Sequence, residues 1–524
     1  MQAIEPPRWW RSGVVYQIYP RSFADADGDG VGDLEGLRSH IDHLAWLGVD
    51  AIWLSPVYRS PMADFGYDVA DHCDVDPLFG DLDTMDAVID ACHAAGLRVM
   101  LDWVPNHTSD QHPWFTASRS ARDSPKRDWY IWRDSVAGQP PTNWRAAFGG
   151  RAWTWDEQTV QWYLHLFLPQ QPDLNWRNPD VVDAQHDVLR FWLDRGVDGF
   201  RADVVHLIGK DEVLADQPPE LAMRDLVGVH DNASTHALLR GIRRVLDAAG
   251  GDRAMVGEVN LASAERLLPY YGAGDELHMV FNFGLLRAPW DAASWASVVE
   301  EAETCFAGSS AWPVWVLSNH DTPRHRTRYG GSPLRARAAA LVLLTLRGTP
   351  FLYAGEELGL LDAEVRAERR VDPGGRDGCR APIPWTQQQG HGWRGQPWLP
   401  WPPDAESCSV EAQRRDVGSM LHLYRRILQA RHGSRALRDG TWQLLASNRP
   451  SSVLAYERRS NGERRRVAVN FSDDTVPDAI ADDGREAWTV ELSTVDRRAQ
   501  EWDRHLAPGE AVLIRPATAS TQPP

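Results

Sequence analysis

Gly199-Phe200-Arg201-Ala202-Asp203-Val204-Val205-His206 is a short apolar strand that ends on a charged pair, Arg201 and Asp203. Side chains alternate along a strand, so Arg201 and Asp203 share one face and Ala202 takes the other. A carboxylate withdrawn from water costs several kcal/mol unless it is paired, so the pair is a structural ion pair or the anion of a reaction site. Other apolar runs end the same way. Val99 to Asp102 leads to Asn106 and His107, Met255 leads to Glu258, and Val314 to Ser318 leads to Asn319, His320 and Asp321. Strands ending on carboxylates and histidines describe the C-terminal rim of a (β/α)8, or TIM-type, barrel, where reactive groups converge.

Around these strands the texture alternates. Val14 to Tyr19, Ala51 to Leu54 and Leu97 to Leu101 read as strands, and Leu34 to Leu47 and Met85 to Ala95 as helices. Lengths of this kind predict βαβ units and a parallel sheet. The alternation stops after His107 and resumes with a helix at Val181 to Arg195. It then runs through His236 to Ala249, Leu277 to Phe283, Ser294 to Cys305 and Pro333 to Leu346, and closes eight strands at Pro350 to Tyr353. The irregular stretch of Trp, Pro, Gly and Asp from Ser109 to Gln171 is too long for a loop and predicts a small inserted domain after the third strand. Beyond Gly440, short β-like runs separated by turn residues predict an antiparallel C-terminal β domain. The expected organisation is barrel over 1–104 and 175–440, insertion over 105–174, and C-terminal domain over 441–524, with a disordered tail from Ala517.

The net charge of -18 argues against nucleic acid or an anionic membrane surface as partner and favours a neutral ligand. Twenty-five Trp suit a sugar binder, since C–H faces of sugars stack on indoles, although most of them belong to the core. The positive charge is almost all Arg, with Lys126 and Lys210 the two lysines, a pattern read here as base composition. Five scattered cysteines without CxxC spacing predict a reducing, cytoplasmic compartment with no disulfide framework or zinc site. No apolar run has the length of a leader or a membrane span. Nothing in the sequence sets an oligomeric state.

DWVPNH at Asp102 to His107, QPDLN at Gln171 to Asn175, GFRADVV at Gly199 to Val205, VGEVN at Val256 to Asn260 and LSNHD at Leu317 to Asp321 resemble, in order, the motifs of glycoside hydrolase family 13. The α-glucosidase and oligo-1,6-glucosidase branch is the most similar. The resemblance implies a retaining, exo-acting α-glucosidase that releases glucose from short α-glucosides and also transfers it. Asp203 would be the nucleophile and Glu258 the acid/base, with Asp321 as the third carboxylate gripping sugar hydroxyls. The residues suit those roles: Arg201 favours an ionised Asp203, and the apolar Ala254-Met255-Val256 run favours a proton on Glu258. His107 and His320 would be neutral hydrogen-bond partners, whereas Asp102 and Asn106 would brace the loop.

The resemblance further implies that Tyr67 stacks on the terminal sugar, that Asp68 accepts its hydroxyls, and that Arg380, in RDGCRAPIPW, pairs with Asp68. His72 departs from the Tyr common at the end of that motif. Phe148 and Phe167 would be rim aromatics, and Val204 a residue that sets linkage preference. Asp25, Asp27, Asp29 and Asp33 alternate in a Gly-rich loop broken by Val31, a hard-cation pattern of side chains plus one backbone carbonyl. It departs from an EF-hand loop, since Gly36 occupies the twelfth position. The family implies a structural Ca2+ or Mg2+ there. Two rival classes remain: a transferase, sucrose-acting enzyme or trehalose synthase on the same site, and a non-catalytic sugar-binding homologue, which would be expected to lose a carboxylate.

Overall fold

In the computed structural model, which describes residues 8–221, 225–482, 486–497 and 500–517, the strand that carries Arg201 is β4 of a closed parallel barrel. Its strands are β1 Val15–Ile18, β2 Ala51–Leu54, β3 Arg98–Trp103, β4 Gly199–Ala202, β5 Ala254–Gly257, β6 Met279–Asn282, β7 Pro313–Val316 and β8 Thr349–Tyr353. Apart from Arg98 at the start of β3, every strand residue is buried, which is why the strands read as continuous apolar runs. Trp53, Met100, Val256, Phe281, Val314 and Phe351 fill the barrel interior. Their neighbours Ile52, Leu101, Met255, Val280, Trp315 and Leu352 face the surrounding helices.

Register decides what meets at the rim. Arg201 of β4 lies beside Asp102 of β3, and Ala202 lies beside Gly257 of β5. The next residues along β4 and β5 are Asp203 and Glu258, so the pairing delivers two carboxyls side by side.

The helix expected over Leu34 to Leu47 is two, Leu34–Arg38 and Ile41–Leu47. Ser39 Oγ donates to the Gly36 carbonyl and the His40 ring also bonds it, while the His40 amide turns to Leu37. Local side-chain bonds of this type take an acceptor away from the helix. The insertion between β3 and helix Pro179–Asp194 holds a helix, Pro113–Ser120, and an antiparallel sheet ordered Trp132–Arg133, Gln161–Leu164, Trp153–Asp156. After helix Met420–Gly433 comes a sheet of five antiparallel strands: β9 Thr441–Leu444, β10 Val453–Ser460, β11 Glu463–Asn470, β12 Trp488–Ser493 and β13 Ala511–Pro516, ordered β9-β10-β11-β13-β12. The tail from 518 lies outside the described residues.

Two buried arginines meet where this domain packs on the barrel, Arg458 from β10 and Arg431 from helix Met420–Gly433. Arg431 donates to the carbonyls of Leu344 and Gly348, and Arg458 to those of Thr345 and Gly440, both side chains being fully buried. They cap the C-terminal end of helix Pro333–Thr345, where carbonyls lack partners and the dipole favours a cation. Burial pulls Arg458 down to about 9 and Arg431 to about 10.

Below the rim, after β8, Glu356 and Glu357 are buried together. Glu356 accepts from Tyr424 and Glu357 from Tyr16 and the Gly355 amide. Burial pushes Glu356 up to about 8 and Glu357 up to about 7. A carboxyl whose folded pKa is raised stabilises the fold fully below its unfolded value of about 4.3, and that contribution disappears as pH rises through the folded value. Unfolding free energy is therefore expected to fall between about pH 5 and 8, with Glu357→Gln flattening that slope. Denaturant titrations of both proteins at a series of pH values check it, and equal slopes refute it.

Candidate active site

The carboxyl ends of β3, β4, β5 and β7 open into a cavity of about 780 Å³ whose wall includes Asp203, Glu258, Asp321, His107, His320 and Tyr67. Beneath that wall lies one buried guanidinium. Arg201 donates through Nη1 to Asp102 at 2.8 Å and to Asp203 at 2.7 Å, and through Nη2 to Glu258. The Val204 amide donates to the same Glu258 carboxylate at 3.3 Å. Arg201 is thus shared among three carboxyls rather than devoted to Asp203, as the sequence alone suggested. Burial pushes the Asp203 carboxyl well up; Arg201 opposes this, and the charges of Glu258 and Asp102 reinforce it. Burial likewise raises Asp102 to about 6 against the pull of Arg201. Asp102 does more than brace a loop: it anchors Arg201 and accepts from Trp53 at 3.2 Å and Tyr67 at 3.0 Å.

Asp321 behaves differently. Burial alone would raise it, but His320, Arg376 and Arg380 together hold it below the usual carboxylate range. Its side chain is 32% exposed although it lies deep in the protein, because that surface faces the cavity. His320 is kept neutral by burial, near 3, and accepts from Gln17 through Nδ1, which leaves Nε2 to face Tyr67 and Asp321. Burial also brings His107 to about 3. Tyr67 stacks flat on His320, with centroids 5.4 Å apart and planes at 4°. Phe148 and Phe167 line the wall with rings 6.2 Å apart, and Phe167 lies against His107.

The expected pair of Asp68 and Arg380 does not form. Asp68 is fully buried and its carboxylate accepts from Ser60 Oγ and from the amides of Ala63 and Asp64. It fixes the turn that presents Asp64. Arg380 lies behind the wall, bonded to the His320 carbonyl, Asp372 and Tyr19, and reaches Asp321 at 3.3 Å. The ion pair in the cavity wall is instead Asp64 with Arg376, two residues that the motifs did not single out. Arg376 joins Asp64 at 2.7 Å to Asp321 at 2.8 Å and is itself held by Asp372. The motifs already contained both residues: Asp64 stands three positions before Tyr67, and Arg376 opens RDGCR. Choosing between two Asp four apart and two Arg four apart needed the backbone. His72 turns away from the cavity and stacks on Trp114.

In the acidic loop, carboxylate oxygens of Asp25, Asp27 and Asp29 lie within 4.8 Å of one another. Asp33, expected to join them, caps helix Leu34–Arg38: its two oxygens accept from the Gly36 and Ala26 amides. The Val31 amide is turned onto Asp29. Gly30, at φ +88°, packs so tightly that a Cβ would lie 2.0 Å from the Gln396 carbonyl, so no other residue fits. Asn106 accepts from the buried Lys210, whose ammonium also pairs with Asp173 of QPDLN at 3.1 Å and ties the insertion to the loop after β4.

A parallel barrel with acidic, Arg-paired groups at the C-terminal ends of its strands, converging on one cavity, defines an enzyme of acid–base chemistry on a polar ligand. Residues 17–440 match the family described as alpha amylase, catalytic domain, and the chain belongs to the alpha-amylase family. It is 42% identical over 511 residues to a probable alpha-glucosidase of Rhizobium meliloti (strain 1021), covering 90% of this chain and 91% of that one. It is 35% identical to an oligo-1,6-glucosidase of Parageobacillus thermoglucosidasius, covering 97% and 99%. The crystal structure of the alpha-glucosyl transfer enzyme XgtA superposes with a TM-score of 0.89 at 39% identity, covering 98% of this chain and 100% of that one.

Proposed function

We propose that the protein is a retaining, exo-acting α-glucosidase that releases glucose from the non-reducing ends of short α-glucosides and transfers it to sugar acceptors when these are concentrated. The observation that carries this is the meeting of Asp203 and Glu258 on one guanidinium in a cavity whose wall also holds the ion pair of Asp64 and Arg376. Contact of both carboxyls with one Arg201 suits the separation of about 5 to 5.5 Å that a double displacement uses. Asp203 attacks C1 while Glu258 gives its proton to the glycosidic oxygen, so the C1–O bond breaks and the aglycone leaves neutral. Water then adds to C1, its proton returns to Glu258, and Asp203 leaves as carboxylate; a sugar hydroxyl in place of water gives transfer. Asp321, held ionised, and neutral His107 and His320 take the glucose hydroxyls. Incubation with maltose, isomaltose, sucrose and trehalose, with products read by chromatography and their anomers by NMR, tests the reading. An inverted anomer, or isomers in place of free glucose, overturns it; a transferase on the same site is the second reading, prompted by the likeness to XgtA.

Linkage preference is assigned to Val204, packed among Ile131, Leu166, Leu207 and Leu226 beside the nucleophile. Its backbone is left-handed, φ +35°, an unfavourable state for a β-branched residue, and branching at Cβ makes its χ1 stiff. A stiff apolar wall suits an α-1,6 link, whose extra rotatable bond lets the aglycone swing clear. One such contact discriminates by about 1 to 3 kcal/mol. Both disaccharides should therefore be cut, with Val204→Ala shifting kcat/KM toward maltose. An unchanged ratio means that Val204 does not set the linkage.

Asp25, Asp27 and Asp29, with the Val31 carbonyl, would hold one structural Ca2+ or Mg2+. Their donor set is all oxygen, and the Asp29 carboxyl, raised by burial and by the neighbouring charges of Asp27, Asp25 and Asp33, is what a cation would relieve. Asp29→Ala should lower thermal stability and leave turnover of the folded protein nearly intact. Washed protein free of both metals would refute the site. The reducing, cytoplasmic setting rests on five cysteines that are all unpaired. Among the described residues no helix is long and apolar enough to cross a membrane.

A further inference from the structure

β1 places an amide inside the barrel. Val15 faces the interior beside Trp53, and alternation along the strand turns Gln17 the same way. Gln17 is buried, and a buried amide costs free energy unless it is bonded. Its Nε2 lies 2.7 Å from His320 Nδ1 and 3.3 Å from Ser55 Oγ. On the other side of the ring, His320 Nε2 lies 2.7 Å from the Tyr67 hydroxyl and 3.2 Å from an Asp321 oxygen.

The roles in this line of contacts follow from which atoms own hydrogens. The Asp321 carboxylate only accepts. The Tyr67 hydroxyl gives its one hydrogen to Asp102 at 3.0 Å, so it meets His320 as an acceptor as well. Two acceptors at Nε2 need a hydrogen there, and a neutral imidazole has only one, so Nδ1 is bare and has to be met by a donor. The primary amide of Gln17 is that donor. A carboxylate in its place would draw the hydrogen to Nδ1 and turn the Nε2 lone pair against Asp321. The line goes on from Tyr67 through Asp102 and Arg201 to Asp203. We propose that Gln17 is the positioning residue of His320: its amide fixes the ring hydrogen on Nε2, so that the imidazole offers an N–H, and not a lone pair, to a hydroxyl of the sugar in the cavity. The sugar's part in this rests on the α-glucosidase reading, whereas the place of the hydrogen does not.

Gln17→Met keeps the length of the side chain and removes the donor. It should lower kcat/KM about tenfold, the worth of one hydrogen bond of about 1.4 kcal/mol, by the same factor at every pH. Gln17→Glu separates positioning from packing. While the introduced carboxyl and His320 share one extra proton, Nε2 keeps its hydrogen wherever that proton sits; once it is lost, the carboxylate holds the ring's one hydrogen at Nδ1. Burial opposes the extra proton, Asp321 and the introduced carboxyl favour it, and Arg380, Arg201 and Arg376 oppose it, while the Tyr67 and Tyr19 rings stacked on His320 are neutral. The activity of Gln17→Glu relative to the parent should therefore be highest at low pH and fall about tenfold as pH rises from about 5 to 8. Nitrogen NMR on protein labelled in its histidine rings reads the hydrogen directly. The ring signal that disappears in His320→Asn should carry hydrogen on Nε2 in the parent and share it with Nδ1 in Gln17→Met. Hydrogen on Nδ1 in the parent overturns the inference, even where Gln17→Glu does not fold. Full activity of Gln17→Met, or a Gln17→Glu ratio that is the same at every pH, also overturns it. The NMR reading needs no substrate, so failure to cleave any α-glucoside removes the glucosidase reading and leaves the ring hydrogen to decide on Gln17.

Discussion

Asp203→Asn is expected to lower kcat at least about 10³-fold on every α-glucoside, because an amide cannot form the glycosyl ester that divides the reaction into two steps. The variant should fold and should be no less stable than the parent at neutral pH. Burial and the neighbouring carboxyls push Asp203 up, so keeping it ionised costs folding energy that the amide does not. A fluorinated glucoside with an activated leaving group should label Asp203 in the unmodified protein. A label on another carboxyl, or an Asn variant retaining a tenth of the activity, would give the nucleophile's place to a different residue.

The second large effect belongs to Arg376. It is the common partner of Asp64, Asp321 and Asp372, so Arg376→Ala leaves the buried Asp64 without its cation and leaves Asp321 and Asp372 to Arg380 alone. Breaking a buried pair by removing one member costs about 3 to 5 kcal/mol, and Asp64, raised by burial to about 6 even with its partner present, would take up a proton. The expected result is a loss of about 10²-fold or more in kcat/KM on maltose. Asp64→Asn, which keeps the shape, should reproduce part of the loss with less destabilisation. On the exo-acting reading the same pair lies at the inner end, so the parent should act slowly on amylose without a rapid fall in viscosity. A quick viscosity drop, or full activity in Asp64→Asn, would mean that the cavity is an open cleft.

The barrel and the antiparallel C-terminal sheet are legible in the sequence because burial on two faces, or on one, leaves a pattern in the residues themselves, and the insertion after β3 is legible as the long break in that pattern. Asp203, Glu258 and Asp321 were legible for a related reason: Asp203 and Glu258 follow their apolar strands directly and Asp321 closes the short run after Val316, so chain direction puts all three on the rim. Where a charge is paired was not legible. Arg201 serves three carboxyls because Asp102 lies in register beside it and Glu258 follows Gly257, contacts made across strands 99 and 57 residues apart in the chain. Asp68 and Arg380 carry the right residue types in the right motifs, yet the backbone turn at Asp64 faces the Asp68 carboxylate inward and leaves the clamp to Asp64 and Arg376. Asp33 was displaced from the acidic loop by a helix start that needed a cap. The two buried arginines of the C-terminal junction looked like composition until helix Pro333–Thr345 was seen to end on them. Hydrophobic pattern, repeated along each segment, determined the architecture from sequence. Ion pairs between single side chains far apart in the chain leave no such repeat, and only the tertiary structure decided them.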